Sequence, residues 1–536
     1  MDRSTGGTEA PGRHSIPMKQ ILAILVALFT TAVLLHASSL GDESVLTTFK
    51  KYFKTYKETP LRVEAVLSLE GVEDPAVVAT LAPLFKDAES EVQRAVVRIL
   101  GGFKERPPVD AVLATLKDEK NDLVRAGMLE AITFGKYKDC APAVVVCLPD
   151  KSWIVRRHAI KALAAANDPS VAEKLLPLCD DVEIAVRCDA IETLTAFNSP
   201  LVVPKAIVAI SDGDRRVRQT AIKTLTKIRH KDAVEPLIAR INVEEGVLVP
   251  DIGEALANLT GKEFGGDVAK WNAYWTEVKA TFVLPTAEAI AYLRTKREAA
   301  TGPAKAKYDK SGPVVYHGLE TTSHSIMFVI DVSGSMEAEI TEKDRFSDGN
   351  YPSFQRIDIV KTELMRVIER LEPNVNFNII AFATKVDPWK DKLLPATVLN
   401  RSAAKDWVKG LFAIGGASKE DLAVAGLTGS ANLEMGKTNT FGALMGALNI
   451  KAGKNGPRTG AETRDYKVDV DTVFFLSDGR PTVGDFIDPD DILREVKTAN
   501  ELRKVKLHTL AIGEFQKDFM KKLADQNEGT FVDLGK

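Results

Sequence analysis

The sequence predicts a multidomain chain in which an all-α solenoid is followed by an α/β doubly wound, Rossmann-like domain, and three observations predict it. The 536 residues exceed the roughly 250–300 that one hydrophobic core supports. An apolar–Arg–Ala–Leu pattern recurs every 31 residues through the first half of the chain. Beyond residue 323 the period changes to short apolar runs that alternate with amphipathic helical stretches.

Composition narrows the function classes. A hydrophobic fraction of 45% with 27% charged residues is that of a folded chain, and a mean hydropathy of -0.07 excludes a polytopic membrane protein. The 71 basic residues are nearly cancelled by 74 acidic ones, so there is no global positive field to draw nucleic acid. No Cys-x-x-Cys and no His-Glu-x-x-His motif occurs, which argues against a zinc hydrolase.

The first element is the uncharged run Ile21 to Leu35, preceded by Arg13 and Lys19 and followed by Ala37-Ser38-Ser39. This is the layout of a secretory signal peptide over residues 1–40, with Met18 as an alternative start. An uncleaved anchor through residues 21–37, attaching the chain to a membrane, is the other reading. In both, the chain beyond residue 40 is exported to the periplasmic or extracytoplasmic side, secreted or membrane-anchored.

The repeats come next, over residues 45–290. Val124-Arg125, Val155-Arg156, Val186-Arg187 and Val217-Arg218 stand 31 residues apart, and Asp87, Asp118, Asp150, Asp181 and Asp212 open the second helix of successive units. An Asp there accepts free helix-start N–H groups, and the Arg one turn later lays its stem on the next unit, so the pattern argues for structure. With its Asp…Val-Arg…Ala-Ile…Leu signature this stretch resembles the HEAT family, in its short PBS-lyase-type form. The resemblance implies stacked antiparallel helix pairs with a long concave, protein-binding surface. Trp271 and Trp275, one helical turn apart, are expected to cap the open end. Cys140, Cys147, Cys179 and Cys188 fall in the third to fifth copies, as small buried hydrophobes or with one disulfide between repeats. Residues 291–322, rich in Lys, Ala, Thr, Gly and Pro, read as a linker.

The last element is residues 323–536. Strand-type runs at 325–332, 377–383, 472–478 and 506–513 are separated by helical stretches at 356–371, 401–412, 440–450, 489–503 and 515–526. This alternation predicts a parallel sheet covered on both faces, with ligands at the carboxyl ends of its strands. Asp331-Val332-Ser333-Gly334-Ser335 stands at the end of the first such strand. Here the chain resembles the von Willebrand factor type A family, and the motif is similar to that family's metal-ion-dependent adhesion site. Thr438 in Gly436-Lys437-Thr438-Asn439-Thr440 and Asp478 in Leu476-Ser477-Asp478-Gly479 match the other two site elements, with Thr440 as the alternative threonine.

The resemblance implies that Ser333, Ser335 and, in one state, Thr438 ligate a magnesium ion, or manganese, directly, while Asp331 and Asp478 act mainly through water. The donor chemistry agrees, because Mg²⁺ takes hard oxygen ligands in octahedral geometry. It also implies a protein partner that presents an acidic side chain to the metal. The long charged segment 337–356 and the loop 413–437 are expected to rim that face.

Ala431 to Thr438 also fits a loose phosphate-binding loop, from which a magnesium-dependent NTPase would follow, but its interior has no glycine to let backbone N–H groups approach phosphates. No Ser-His-Asp, Cys-His or paired-carboxylate constellation can be assembled from local motifs, so hydrolase readings have no support in the sequence and the chain is not read as an enzyme. The expectation is a non-enzymatic cell-envelope scaffold or adhesion protein. An RNA-binding particle that resembles the Ro family in architecture is the alternative, and the charge balance speaks against it.

Overall fold

The computed structural model describes residues 44–301, 314–414, 436–450, 466, 468–513 and 517–534. The apolar run 21–37, residues 302–313 of the expected linker and residues 431–435 of the phosphate-loop match lie outside the described residues. Among the described residues no helix is long and apolar enough to cross a membrane.

The solenoid is built from helices α1 (Val45–Tyr52), α2 (Thr59–Leu67), α3 (Pro75–Leu81), α4 (Ser90–Gly101), α5 (Arg106–Asp118), α6 (Asp122–Gly135), α7 (Ala141–Val144), α8 (Trp153–Ala166), α9 (Ala172–Leu175), α10 (Ile184–Ala196), α11 (Val202–Ala209), α12 (Arg215–Lys227), α13 (Val234–Ile241), α14 (Val249–Thr260), α15 (Val268–Val278) and α16 (Ala287–Thr301). The even-numbered helices α2 to α14 pack in one row, each on the next, and a single apolar core runs from Leu46 to Trp271.

The repeated Arg and Asp form a ladder between repeats. Arg62 pairs with Asp87, Arg125 with Asp150, Arg156 with Asp181 and Arg187 with Asp212, and Arg218 closes the series on Glu244. The rung at Arg156 is bidentate, with Nε and Nη2 at 2.7 and 2.6 Å from the two oxygens of Asp181. The same guanidinium donates backward to the carbonyl of Asp150 at 2.8 Å. Each Asp also accepts the N–H two residues ahead, as Asp181 does from Glu183 at 2.8 Å, so one side chain orders a turn and ties two repeats. Gln93 stands where the next Arg would be, and it donates to the carbonyl of Asp87.

Trp271 is fully buried, donates Nε1 to the carbonyl of Gly265 at 2.9 Å and meets Phe264 edge-on, which closes the end of the core. The four cysteines are buried and unpaired. Burial pushes the Cys140 and Cys147 thiols up to about 11 and those of Cys179 and Cys188 to about 12.

Part of the stretch 291–322, expected as a linker, has regular structure. Helix α16 continues to Thr301, and β1 (Val314–Tyr316) and β2 (Leu319–Thr321) form a hairpin. Its two-residue turn is His317-Gly318, both at positive φ, the geometry that matches strand twist. Tyr316 is buried edge-on against Phe328 and Phe474 and so ties the hairpin to the head.

The head contains β3 (Ser325–Asp331), α17 (Arg356–Arg370), β4 (Asn376–Phe382), β5 (Val386–Pro388), β6 (Leu394–Pro395), α18 (Val398–Lys409), α19 (Thr440–Ala447), β7 (Thr472–Ser477), α20 (Pro489–Asn500), β8 (Lys506–Ala511), α21 (Lys517–Gln526) and β9 (Phe531–Asp533). The sheet order is β5-β4-β3-β7-β8-β9. β4, β3, β7, β8 and β9 run parallel, while β5 and the short β6 lie antiparallel to β4. Strand β3 alternates its burial: Ile326, Phe328 and Ile330 face the layer of α17 and α18, and Met327 and Val329 face the layer of α19, α20 and α21.

The head sits on the solenoid by the amino ends of its strands. Lys506, which opens β8, pairs with Asp251 at 2.5 Å. Glu501 takes Lys161 at 2.7 Å and Arg157 at 3.1 Å. Arg215 donates to the carbonyls of Lys504 and Arg503, and Gln219 donates to Glu528 at 2.6 Å. Ala185, Tyr466 and Leu502 make a small apolar core between the two bodies. These solenoid contacts come from the α8 to α14 part of the even-numbered row, so that stretch of the row is covered by the chain's own head.

Candidate metal centre

The chain leaves β3 toward one neighbour, β4, and later returns as β7 on the other side of β3. The carboxyl ends of β3 and β7 therefore flank a switch point, where a doubly wound sheet opens a crevice for ligands. Asp331 closes β3 and Asp478 follows β7. A six-residue strand at about 3.3 Å per residue separates this end from the docked end by roughly 20 Å.

Asp331 is fully buried and works as a bracket. Oδ1 accepts the backbone N–H of Ser333 at 2.8 Å, and Oδ2 accepts the hydroxyl of Ser477 at 2.6 Å. Ser333 Oγ and Ser335 Oγ stand 3.2 Å apart, and Ser335 Oγ donates to Asp478 Oδ1 at 2.7 Å. Thr438 enters from the loop before α19, held by Thr482 at both ends of its peptide: its N–H donates to Thr482 Oγ1 and its carbonyl accepts the N–H of Thr482, both at 2.9 Å. A Cβ on Gly479 would stand 3.4 Å from Ser335 Oγ and 3.4 Å from Thr438 Oγ1. The two hydroxyls thus converge on one space, which a glycine leaves open.

Asp331, Ser333, Ser335, Thr438 and Asp478 come together in space, with Thr438 Oγ1 facing the same gap at Gly479 as Ser335 Oγ. Thr440 starts α19, where its buried hydroxyl has no hydrogen-bond partner among the described residues. Among the described residues no group of three or more His, Cys, Asp or Glu gathers to hold a metal. The set here is instead hydroxyls with two carboxylates, which fits a hard cation that retains waters.

Two residues were not legible as part of the site. Ser477 steadies Asp331. Arg356 places Nη1 2.5 Å from Asp478 Oδ2. Burial, and behind it the charge of Asp478, push the Asp331 carboxyl well above the usual carboxylate range, a cost that a cation beside the pair would reverse.

The phosphate-loop match finds no support in its described part. The N–H of Lys437 donates to Thr384 Oγ1 at 3.1 Å, and α19 begins at Thr440 rather than at the Lys-Thr pair.

Comparisons with known proteins divide the chain at the same place. The family description "HEAT repeats" matches residues 50–133, 109–184 and 172–257, and "von Willebrand factor type A domain" matches residues 324–533. Inter-alpha-trypsin inhibitor heavy chain H4 of Homo sapiens is 28% identical over 213 residues, 40% of this chain and 18% of that protein. Heavy chain H1 of Mesocricetus auratus is 27% identical over 212 residues, 39% of this chain and 18% of that protein. The chain thus spans under a fifth of the length of these relatives. A solved complex of CpcE and CpcF of phycocyanin lyase from Nostoc sp. PCC7120 shares 16% identity at a TM-score of 0.25, over 48% of this chain and 97% of that one, a likeness too slight to carry an argument.

Proposed function

Because the chain joins HEAT repeats to a von Willebrand factor type A domain, both of them modules of protein–protein interaction, we propose that it is a non-enzymatic interaction protein that binds an acidic protein partner through a magnesium ion on the head. Ser333, Ser335 and Thr438 would hold the ion with their hydroxyls, and Asp331 and Asp478 would hold its waters. The ion, when bound, supplies an electrophilic position that a carboxylate of the partner fills. Asp331 contributes chiefly by fixing the turn that presents Ser333, through the 2.8 Å bond to its N–H.

The observation that carries this reading is the convergence of three segments far apart in sequence: the Ser335 to Asp478 bond and the shared approach of Ser335 and Thr438 to Gly479. The docking of the head by its opposite end supports it, since the hydroxyl face is left turned away from the solenoid. Arg13 and Lys19 before residue 21 and the apolar run after it support a place outside the cytoplasm, in the cell envelope.

The test is affinity purification from envelope extract with the whole chain as bait, in magnesium and in EDTA. A partner retained with magnesium, released by EDTA and absent with a folded Ser333→Ala chain supports the proposal. A partner set indifferent to both changes overturns it.

A further inference from the structure

Asp478 is fully buried and divides its two oxygens between unlike partners. Oδ1 accepts the Ser335 hydroxyl at 2.7 Å, and Oδ2 accepts Arg356 Nη1 at 2.5 Å. Arg356 is the first residue of α17, directly after the charged loop 337–355, and the neck of that loop pins its backbone. Its N–H donates to the carbonyl of Ala338 at 3.0 Å, the N–H of Ile340 donates to that of Phe354 at 3.0 Å, and Glu339 and Gln355 bridge as an antiparallel pair. The guanidinium lies against Gly513, where a Cβ would come within 3.4 Å of both Cζ and Nη1. Nη1 also reaches the carbonyl of Ser335 at 3.4 Å, whereas the buried Nε has no hydrogen-bond partner among the described residues. Among those residues Asp478 is the carboxylate that faces the positive charge.

An ion taken up by the serine hydroxyls and a guanidinium on the far oxygen would share one carboxylate. Like charges a few ångströms apart in a partly buried site repel by several times the thermal energy, even at an effective dielectric of about 20. Together the buried carboxylates of Asp331 and Asp478 need positive charge nearby, and without an ion Arg356 supplies it.

We propose that Arg356 is a resident cation of this site, which a divalent ion must displace from Asp478, and that it sets how tightly the ion binds. The inference rests on the reading of these residues as a metal centre. Arg356 is on this account a positioning residue with opposite effects on two quantities: it stabilises the ion-free head and weakens ion binding. A residue that only supported the fold would move both in the same direction when removed.

Calorimetric titration of magnesium into the full chain tests this with wild type, Arg356→Gln, Arg356→Met, Arg356→Lys and Asp331→Ala, alongside thermal melts with and without magnesium. Arg356→Gln and Arg356→Met, the second keeping the packing of the stem, should bind magnesium about tenfold more tightly than wild type. Both should melt lower without magnesium and gain more from its addition. Arg356→Lys keeps the charge and should stay near wild type. Affinity unchanged or weakened in either neutral variant, while wild type binds magnesium through Asp331, overturns the inference alone. Absence of binding in every protein, or binding indifferent to Asp331→Ala, overturns the metal reading and the inference with it.

Discussion

Arg216 of the solenoid lies over the ring of Tyr466 of the head, with its guanidinium carbon 4.8 Å from the ring centroid, and it donates Nη1 to the Tyr466 carbonyl at 3.2 Å. Asp214 holds that guanidinium from the other side at 2.9 Å. Trp153 meets the same ring edge-on, and the Tyr466 hydroxyl donates to Glu183. One aromatic side chain is thus gripped by three solenoid helices, α8, α10 and α12 or their caps. Tyr466→Ala should cost the docked arrangement about 2 kcal/mol from lost ring burial and cation–π attraction. Energy transfer between dyes on Val208→Cys and Val398→Cys, two exposed positions on solenoid and head, should fall. The buried native thiols, raised well above their ordinary value, should stay unlabelled.

The same dye pair reads the pH dependence of docking. Burial opposes ionisation of Glu501, but Arg157 and Lys161 overcome it and hold the carboxyl down at about 2. Its folded value lies below the ordinary 4.5, so its contribution is complete above pH 4.5 and is lost as the pH falls from there through 2. Energy transfer should decline over that window in wild type, and Glu501→Gln should start lower and remove that part of the decline.

The ladder between repeats gives a stability prediction. Arg156→Ala leaves Asp181 without its bidentate partner in a nearly closed setting, and should cost about 3 kcal/mol. Thermal melts should drop while magnesium affinity stays unchanged, because this rung lies in the solenoid and the hydroxyl cluster lies at the far end of the head.

Crowding the space between the hydroxyls is the gentlest change to the site. In Gly479→Ala the new Cβ would come into van der Waals contact with Ser335 Oγ and Thr438 Oγ1 and fill the space between them. Magnesium affinity by calorimetry should fall about tenfold, since a small octahedral ion tolerates little displacement of its ligands. The circular dichroism spectrum should not change.

Much of this was legible in the sequence for stated reasons. The repeat showed because each unit must present Val, Arg and Asp to its neighbour in the same geometry, and the strands showed because burial on both faces makes them continuously apolar. Asp331, Ser333, Ser335, Thr438 and Asp478 stood out through small polar residues placed where apolar runs end. Arg356 did not, because a basic residue opening an amphipathic helix looks like any solvent-facing charge until β7 sets Asp478 beside it. The docking was hidden in the same way: Arg157, Lys161 and Glu501 match ordinary helix-surface charge, and only the tertiary arrangement pairs residues 340 positions apart. The hairpin at 314–321 was missed because a lysine-rich context masked Val-Val-Tyr, whose tyrosine is among the largest fully buried side chains.

The central claim, that a divalent ion is held by Ser333, Ser335 and Thr438 on the face opposite the solenoid, is tested most directly by crystals of the whole chain soaked in manganese and measured for anomalous scattering. The account predicts one strong anomalous peak within ligand distance of those three hydroxyls, absent from crystals of Ser333→Ala. No peak there, or a peak held by other residues, would contradict it.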